Sequence, residues 1–304
     1  MKKQYKADLA LLIVTLSWGI SFILTKNSLD ELSTFNFLAI RFLISAITSA
    51  FIFYKRILKI DKTTLKYSII IGSFMFLGYA FQTIGLNFTT ASKSAFISCL
   101  SVVFVPILSA FLLNKVPKPS SIIGVILATF GLALLTLDGD LNLNIGDFYT
   151  FLCTFCFAFQ IITVSKYAVK VDAINLAILQ IAVVGILSTI VSFLFESPII
   201  PTGKDVWVSI LFLSFLCTSG AFIIQNTVQK YTTATHTALI FTSEPVFASI
   251  FGYLIAGEIL STRGFIGAFL IISSMLFAEL DFNLSFFKNK IYVKKKTPIV
   301  AKKR

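Results

Sequence analysis

The chain has 304 residues, of which 57% are hydrophobic and 13% charged, with mean hydropathy +0.90 and formal net charge +12. A soluble domain wets its surface with about 25% charged residues, so a water-surrounded globule is excluded and the main solvent must be lipid. The positive charge does not point to nucleic acid, because the basic residues sit between long apolar runs and near the C-terminus rather than along a soluble face.

Ten stretches approach the roughly 20 apolar residues that a helix needs to cross a bilayer. They are 8–26, 34–54, 67–87, 94–113, 120–137, 147–166, 173–194, 207–227, 235–255 and 262–279. The first follows a basic start, MKKQYKADLALLIVTLSWGISFILTK, that resembles a signal peptide. Its apolar part is too long and has no small-x-small cleavage site, so it reads as a retained first span. The connections are short and hold the breakers Asp30-Glu31, Asp61-Lys62, Pro117-Lys118-Pro119, Asp138-Gly139-Asp140, and Pro198 with Pro201. No room is left for a soluble domain. The segment after Asp281 is dense in charge, lacks apolar periodicity and reads as a basic cytoplasmic tail, 282–304, lying on anionic lipid headgroups.

Cys99, Cys153, Cys156 and Cys217 all fall within apolar runs. Cys153-x-x-Cys156 has neither a second such pair nor a nearby histidine, so it reads as packing rather than a metal or redox centre. No cofactor and no metal are expected.

Lys and Arg fix the direction, because they are retained on the cytoplasmic side. With the N-terminus inside, the inner segments hold 21 basic residues and the outer ones 4, namely Lys26, Lys93, Lys204 and Arg263. Both termini are therefore expected in the cytoplasm, on a multi-pass protein of the cell membrane.

TTASKSAFI at 89–97 returns as TTATHTALI at 232–240. An offset of 143 also pairs Gln82 with Gln225, Val103 with Val246 and Gly124 with Gly267. An offset of 139 pairs Asp8 with Asp147, Thr15 with Thr154, Asn36 with Asn175 and Ser49 with Ser188, and sets Arg41 opposite Gln180. The repeat unit is five spans long, 8–138 and 146–281. An odd number of spans reverses the second copy, which gives the inverted topology typical of secondary transporters, although a channel could carry it as well.

The chain resembles the drug/metabolite transporter superfamily, specifically the EamA-type carriers with two five-helix repeats. The resemblance is carried by SWGISF at 17–22, AIRF at 39–42, TTASKSAF at 89–96 with VVFVPIL at 102–108, TTATHTAL at 232–239, SEPVFAS at 243–249 and GEIL at 257–260. The order departs from a perfect repeat where Asn114-Lys115 stands opposite Gly257-Glu258, and where Pro106 and Pro245 fall out of register. The resemblance implies an all-α integral membrane protein with ten transmembrane helices around a central cavity, lined chiefly by spans 1, 3, 4, 6, 8 and 9. It also implies transport of small organic metabolites, often export of amino acids or related compounds.

Polar side chains at mid-span are costly in lipid and should face the interior. Glu244 is the sharpest case. It lies near mid-depth of span 9, and Pro245 beside it removes a backbone N–H and frees a carbonyl. Arg41 could attract a carboxylate, pair with Asp30 or Glu31, or brace helix ends. Trp18 offers a flat face and an indole N–H, next to Gly19 and Ser21. Gln82, Gln160, Gln180 and Gln225, with Asn226 and Tyr79, form a set of uncharged hydrogen-bonding groups that suits a polar organic cargo better than a bare metal ion. Helix-to-helix bonding would use the same amides. His236 reads as a loop residue, and Phe74, Phe81 and Phe88 as helix packing. The two duplicated phrases read as helical hairpin tips, with Thr89, Thr90 and Ala91 gating one face and Thr232, Thr233 and Ala234 the other.

The leading expectation is a secondary carrier working by alternating access on a small-molecule substrate, with efflux as its direction; a passive channel or lipid scramblase would share the architecture. One chain suffices, with or without a homo-oligomer. No HExxH, GxSxG or paired intramembrane aspartate motif supports an enzyme, and no GxxxxGK[ST] loop supports a self-contained ATP-driven pump.

Overall fold

The surface is apolar, and many polar side chains are buried in the interior among the apolar clusters. Phe51, Phe111 and Phe195 are about 80% exposed, whereas Arg41, Gln160, Gln180, Gln225 and Asn226 are buried. Lipid accounts for this pattern, because it solvates phenyl rings and leaves polar groups to find partners inside. The computed structural model of the protein describes residues 2–114, 117–136, 144–256 and 261–279. Lys115, the Asp138-Gly139-Asp140 connection, Gly257-Glu258 and the basic tail lie outside the described residues.

Ten helical spans follow the chain, several of them interrupted. They are α1a (Lys2–Gly19) with α1b (Ser21–Ser28), α2 (Thr34–Ile52), α3 (Lys62–Leu86), α4a (Ala91–Cys99) with α4b (Ser101–Leu112), and α5 (Pro119–Thr136). The second half comprises α6 (Ile145–Tyr167), α7 (Ala173–Phe195), α8a (Lys204–Phe212) with α8b (Ala221–Val228), α9a (Ala234–Phe241) with α9b (Glu244–Ala256), and α10 (Thr262–Glu279). A π-helical segment, Leu213–Gly220, joins the two parts of α8. Among the described residues, seven stretches are long and apolar enough to cross a membrane when α1, α4 and α8 are counted whole. The apolar helices α5 and α10 are slightly shorter, and α9 crosses in two pieces.

Helix ends carry the polar signals that the sequence places there. Asp61, Thr90, Asn144, Asp172 and Thr233 each accept a backbone N–H from the first turn of α3, α4a, α6, α7 and α9a. Asn144 and Asp147 form a reciprocal capping box. Asn114 ends α4b at φ 51°, a left-handed conformation that favours glycine or asparagine.

The two halves are related by a pseudo-two-fold axis that lies between repeat mates. Where α5 crosses α10, a Cβ on Gly131 would meet the Gly267 carbonyl oxygen at 2.8 Å, and one on Gly124 would meet the Ser274 carbonyl oxygen at 2.9 Å. The offset of 143 carries the second contact to a Cβ on Gly267 against the Gly131 carbonyl oxygen, which would lie at 2.6 Å. Only residues without a side chain permit backbones this close. The pair α2 and α7 repeats the symmetry, with Asn36 Nδ2 donating to the Ile199 carbonyl at 2.9 Å and its mate Asn175 donating to the Arg56 carbonyl at 3.0 Å.

On the face opposite the N-terminus, two carboxylates strap the segment after α7 onto the start of α2. Glu196 accepts from Ser33 Oγ, Phe35 N and Asn36 N at 2.8–3.0 Å, placing an anion at a helix N-terminus. Glu31 accepts from the backbone of Thr202 and Gly203, and these bonds hold its carboxyl below the ordinary glutamate range. A carboxyl with a lowered folded-state pKa stabilises above its unfolded value and loses that contribution as pH falls through the folded one. Acidification should therefore release the strap. Trp207, whose indole donates to the Pro201 carbonyl at 2.7 Å, reports on it. Its emission should shift with acid in the wild type and stay flat in Glu31→Gln.

Candidate functional site

The central cavity opens where the helices break. In α9 the turn at Thr242 and Ser243 is tightened by N–H bonds to the Leu239 and Ile240 carbonyls at 3.1 and 3.0 Å, and both hydroxyls bond back to the same carbonyls. Glu244 begins the next helix with Pro245 in its first turn, where a missing N–H is tolerated. The Phe241 carbonyl thereby loses its helical donor, and Cys99 Sγ approaches it at 4.0 Å. The corresponding break in α4 falls at Leu100, the repeat mate of Ser243.

A further interruption holds Trp18. The Ala221 N–H at the end of the π segment bonds the Leu216 carbonyl instead of that of Cys217. The Cys217 carbonyl accepts from Trp18 Nε1 at 2.8 Å. The same segment fixes Arg41. Its Nε donates to Thr218 Oγ1 at 2.9 Å, and Ser45 and Ser214 exchange bonds with each other's neighbouring backbone.

The cavity is about 80 Å³, and Trp18, Ser21, Arg41, Tyr79, Gln82, Gln160 and Glu244 all line it. These come from α1, α2, α3, α6 and α9, far apart in sequence. Gln225 and Asn226 do not reach the wall. Both are fully buried behind it, where Gln225 Nε2 donates to Gln160 Oε1 at 3.3 Å and Asn226 Nδ2 bonds the Phe222 carbonyl. Glu31 is taken by the strap, so Arg41 does not pair with it. Among the described residues no carboxylate forms an ion pair with Arg41, whose guanidinium lies 5.3 Å from the ring centres of Phe42 and Tyr79.

Sequence reasoning placed Trp18 and Tyr79 on the wall but missed the phenylalanines beside them, Phe157 and Phe222. Trp18 packs against Phe222 with centroids 5.7 Å apart, and Phe157 against Tyr79 at 5.4 Å. The offsets carry Trp18 to Phe157 and Tyr79 to Phe222, so the second pair is the image of the first. Other wall positions pair in the same way, Ser21 with Gln160, and Ser101 with Glu244. Applying the offsets to Trp18 and Tyr79 is the signal that would have found the two phenylalanines. Phe74 and Phe81 stack on Phe159 and Tyr149 and serve as packing.

Each hairpin tip sets a basic side chain against an aspartate of the opposite half. Thr89 is buried. Its hydroxyl donates to Asp147 Oδ1 at 2.7 Å, and its carbonyl accepts from Lys26 Nζ at 2.7 Å. Thr90 caps α4a and Ala91 begins it. Lys93 Nζ lies 2.6 Å from Asp147 Oδ2. At the N-terminal face Thr232, Thr233 and Ala234 line a vestibule of about 950 Å³. His236 is not in a loop: it lies in the first turn of α9a, is buried, and its Nε2 is 3.4 Å from Asp8 Oδ1. The capping Thr233 extends the helix through it. Lys93 and His236 are repeat mates, as are Asp147 and Asp8, so the Lys93–Asp147 ion pair at one end of the molecule has its counterpart in the His236–Asp8 contact at the other.

An aromatic box with one guanidinium and one carboxyl can hold a small polar organic molecule. This fold and site define a multi-pass inverted-repeat membrane transporter. The chain matches the EamA-like transporter family over residues 5–137 and 144–279, and it belongs to that family, which is one of transporters and not of enzymes. It is 34% identical over 278 residues to an uncharacterized transporter of Archaeoglobus fulgidus, covering 91% of this chain and 87% of the relative. It is 27% identical over 289 residues to the uncharacterized transporter YoaV of Bacillus subtilis, covering 91% and 98%. A solved crystal structure shares the fold with TM-score 0.76 at 17% identity, over 90% of this chain and 97% of its own.

Proposed function

We propose that the protein exports an amino acid or related small metabolite across the cell membrane by alternating access, with both termini in the cytoplasm. The observation that carries this reading is the placing of Arg41 and Glu244 on one aromatic-walled cavity beside the pseudo-two-fold axis. A guanidinium suits a cargo carboxylate, a carboxyl suits an amine, and the rings suit an apolar side chain. The cavity at about 80 Å³ has room for a handful of waters, whereas sites for small molecules run to roughly 300 Å³ or more. In this reading cargo enters when helices part, as in a carrier rather than an open channel or scramblase. The distribution of Lys and Arg supports the orientation. A single chain supplies the whole wall.

The tips at Thr89–Ala91 and Thr232–Ala234 act in this reading as the outer and inner gates, tied to the opposite half by the Lys93–Asp147 and His236–Asp8 contacts. Proteoliposomes loaded with unlabelled amino acids should accumulate a labelled amino-acid mixture by counterflow. Leu29 and Ala91 pack on one apolar cluster with Phe22, Leu86 and Ala95. A disulfide between Leu29→Cys and Ala91→Cys should stop counterflow, and reduction should restore it. Passage that continues with the link closed would favour a channel and sink the gate.

A further inference from the structure

The two closures of the cavity are built from repeat mates but differ in chemistry. Away from the N-terminal face the seal is apolar, made by Phe22, Leu86 and Ala95. The offsets carry these to Ile161, Gln229 and Ala238 at the N-terminal side, so one leucine is replaced by an amide. Gln229 is fully buried. Its Nε2 donates to Ser165 Oγ and to the Ile161 carbonyl, both at 2.7 Å, and its Oε1 accepts from Gln225 Nε2 at 3.0 Å. Gln225 Nε2 also reaches Gln160 Oε1 at 3.3 Å, and Gln160 lines the cavity.

An unbroken row of amides thus runs from the cavity at Gln160 to the vestibule, which Gln229 and Ser165 line. The barrier is thin. Ala238 faces the cavity and Ala234 the vestibule, four residues apart on α9a, or about 6 Å of helix rise. The row also has spare capacity, because Gln225 Oε1 and Gln180 Nε2 are buried with no hydrogen-bond partner. A buried amide left partly unbonded in this way gains when water or a cargo group completes it.

We propose that Gln160, Gln225 and Gln229 form the layer of the inner gate behind the Thr232–Ala234 tip and the hydrogen-bonding path of the cargo, which opens by exchanging amide bonds for bonds to water and cargo. The outer closure, by contrast, parts an apolar plug. The inference rests on the transport reading but is tested without cargo, through access to Cys99 on the cavity wall.

In lipid nanodiscs, a small cationic methanethiosulfonate reagent should modify Cys99 of the wild type, read by the mass of the peptide that contains it. Gln229→Leu, which copies the outer seal, should slow modification tenfold or more, on the order of one buried amide contact. Gln225→Leu serves as the second variant, with thermal unfolding confirming that each is folded. Leu86→Gln should speed modification by giving the outer closure the inner amide. Wild-type rates in both folded leucine variants, no acceleration in Leu86→Gln, or no labelling of the wild type would each overturn the gate. Counterflow by the same wild-type preparation separates the two readings: exchange without the labelling effect sinks the gate alone, and the labelling effect without exchange counts against transport alone.

Discussion

We expect a pH gradient to drive accumulation of cargo through the wild type by way of a proton on Glu244 and to fail to do so in Glu244→Gln, a loss of about tenfold or more, while exchange of labelled for unlabelled cargo persists. Glu244 is the one carboxyl on the cavity wall among the described residues. It begins α9b, directly after the break at Thr242 and Ser243, so it sits on the element that must move if the cavity opens. Glutamine keeps the size and the hydrogen-bonding reach of the side chain but has no proton to exchange with the solvent. Coupling should therefore fail and binding survive. Unchanged dependence on the gradient in the variant would remove Glu244 from the coupling step. Loss of exchange together with coupling would instead make Glu244 a contact of the cargo itself.

Gly267→Ala should lower the stability of the folded protein by about 1–3 kcal/mol, the range for overpacking a close contact. An added Cβ would lie 2.6 Å from both the Gly131 carbonyl oxygen and the Leu135 nitrogen. Both are backbone atoms, so no rotamer change relieves the clash and the α5–α10 crossing must open. Gly131→Ala, which meets the Gly267 carbonyl oxygen at 2.8 Å, should cost a similar amount. The two variants share one contact, so their effects should not add. Unfolding in detergent measures each, and a wild-type midpoint for Gly267→Ala would show that the helices are not held this closely.

Much of the architecture was legible because lipid imposes simple rules. Long apolar stretches gave the ten spans, and matching polar residues at two offsets gave the inverted halves. Placing mid-span polar residues inside brought Trp18, Ser21, Arg41, Tyr79, Gln82, Gln160 and Glu244 to one cavity. That rule could not separate wall from backing, since Gln225 and Gln160 bury equally well and differ only in which side they face. The phenylalanines were hidden by number: among 33 of them, composition does not distinguish a ring facing lipid from one facing a cavity. The π segment at Leu213–Gly220 left no mark, because LSFLCTSG continues a regular apolar helix equally well. His236 was misplaced because its partner Asp8 lies 228 positions away, on a different helix.

The interruption at Ile20 has no counterpart in the second half. Its repeat mate is Phe159, and α6 runs through that position without a break. A molecule made of two related halves therefore displays both forms of the same helix at once, interrupted in α1 and continuous in α6. Under alternating access the halves trade forms. The opposite-facing conformer should have a continuous α1 and an α6 interrupted at Phe159, so one conformer already contains the template for the other.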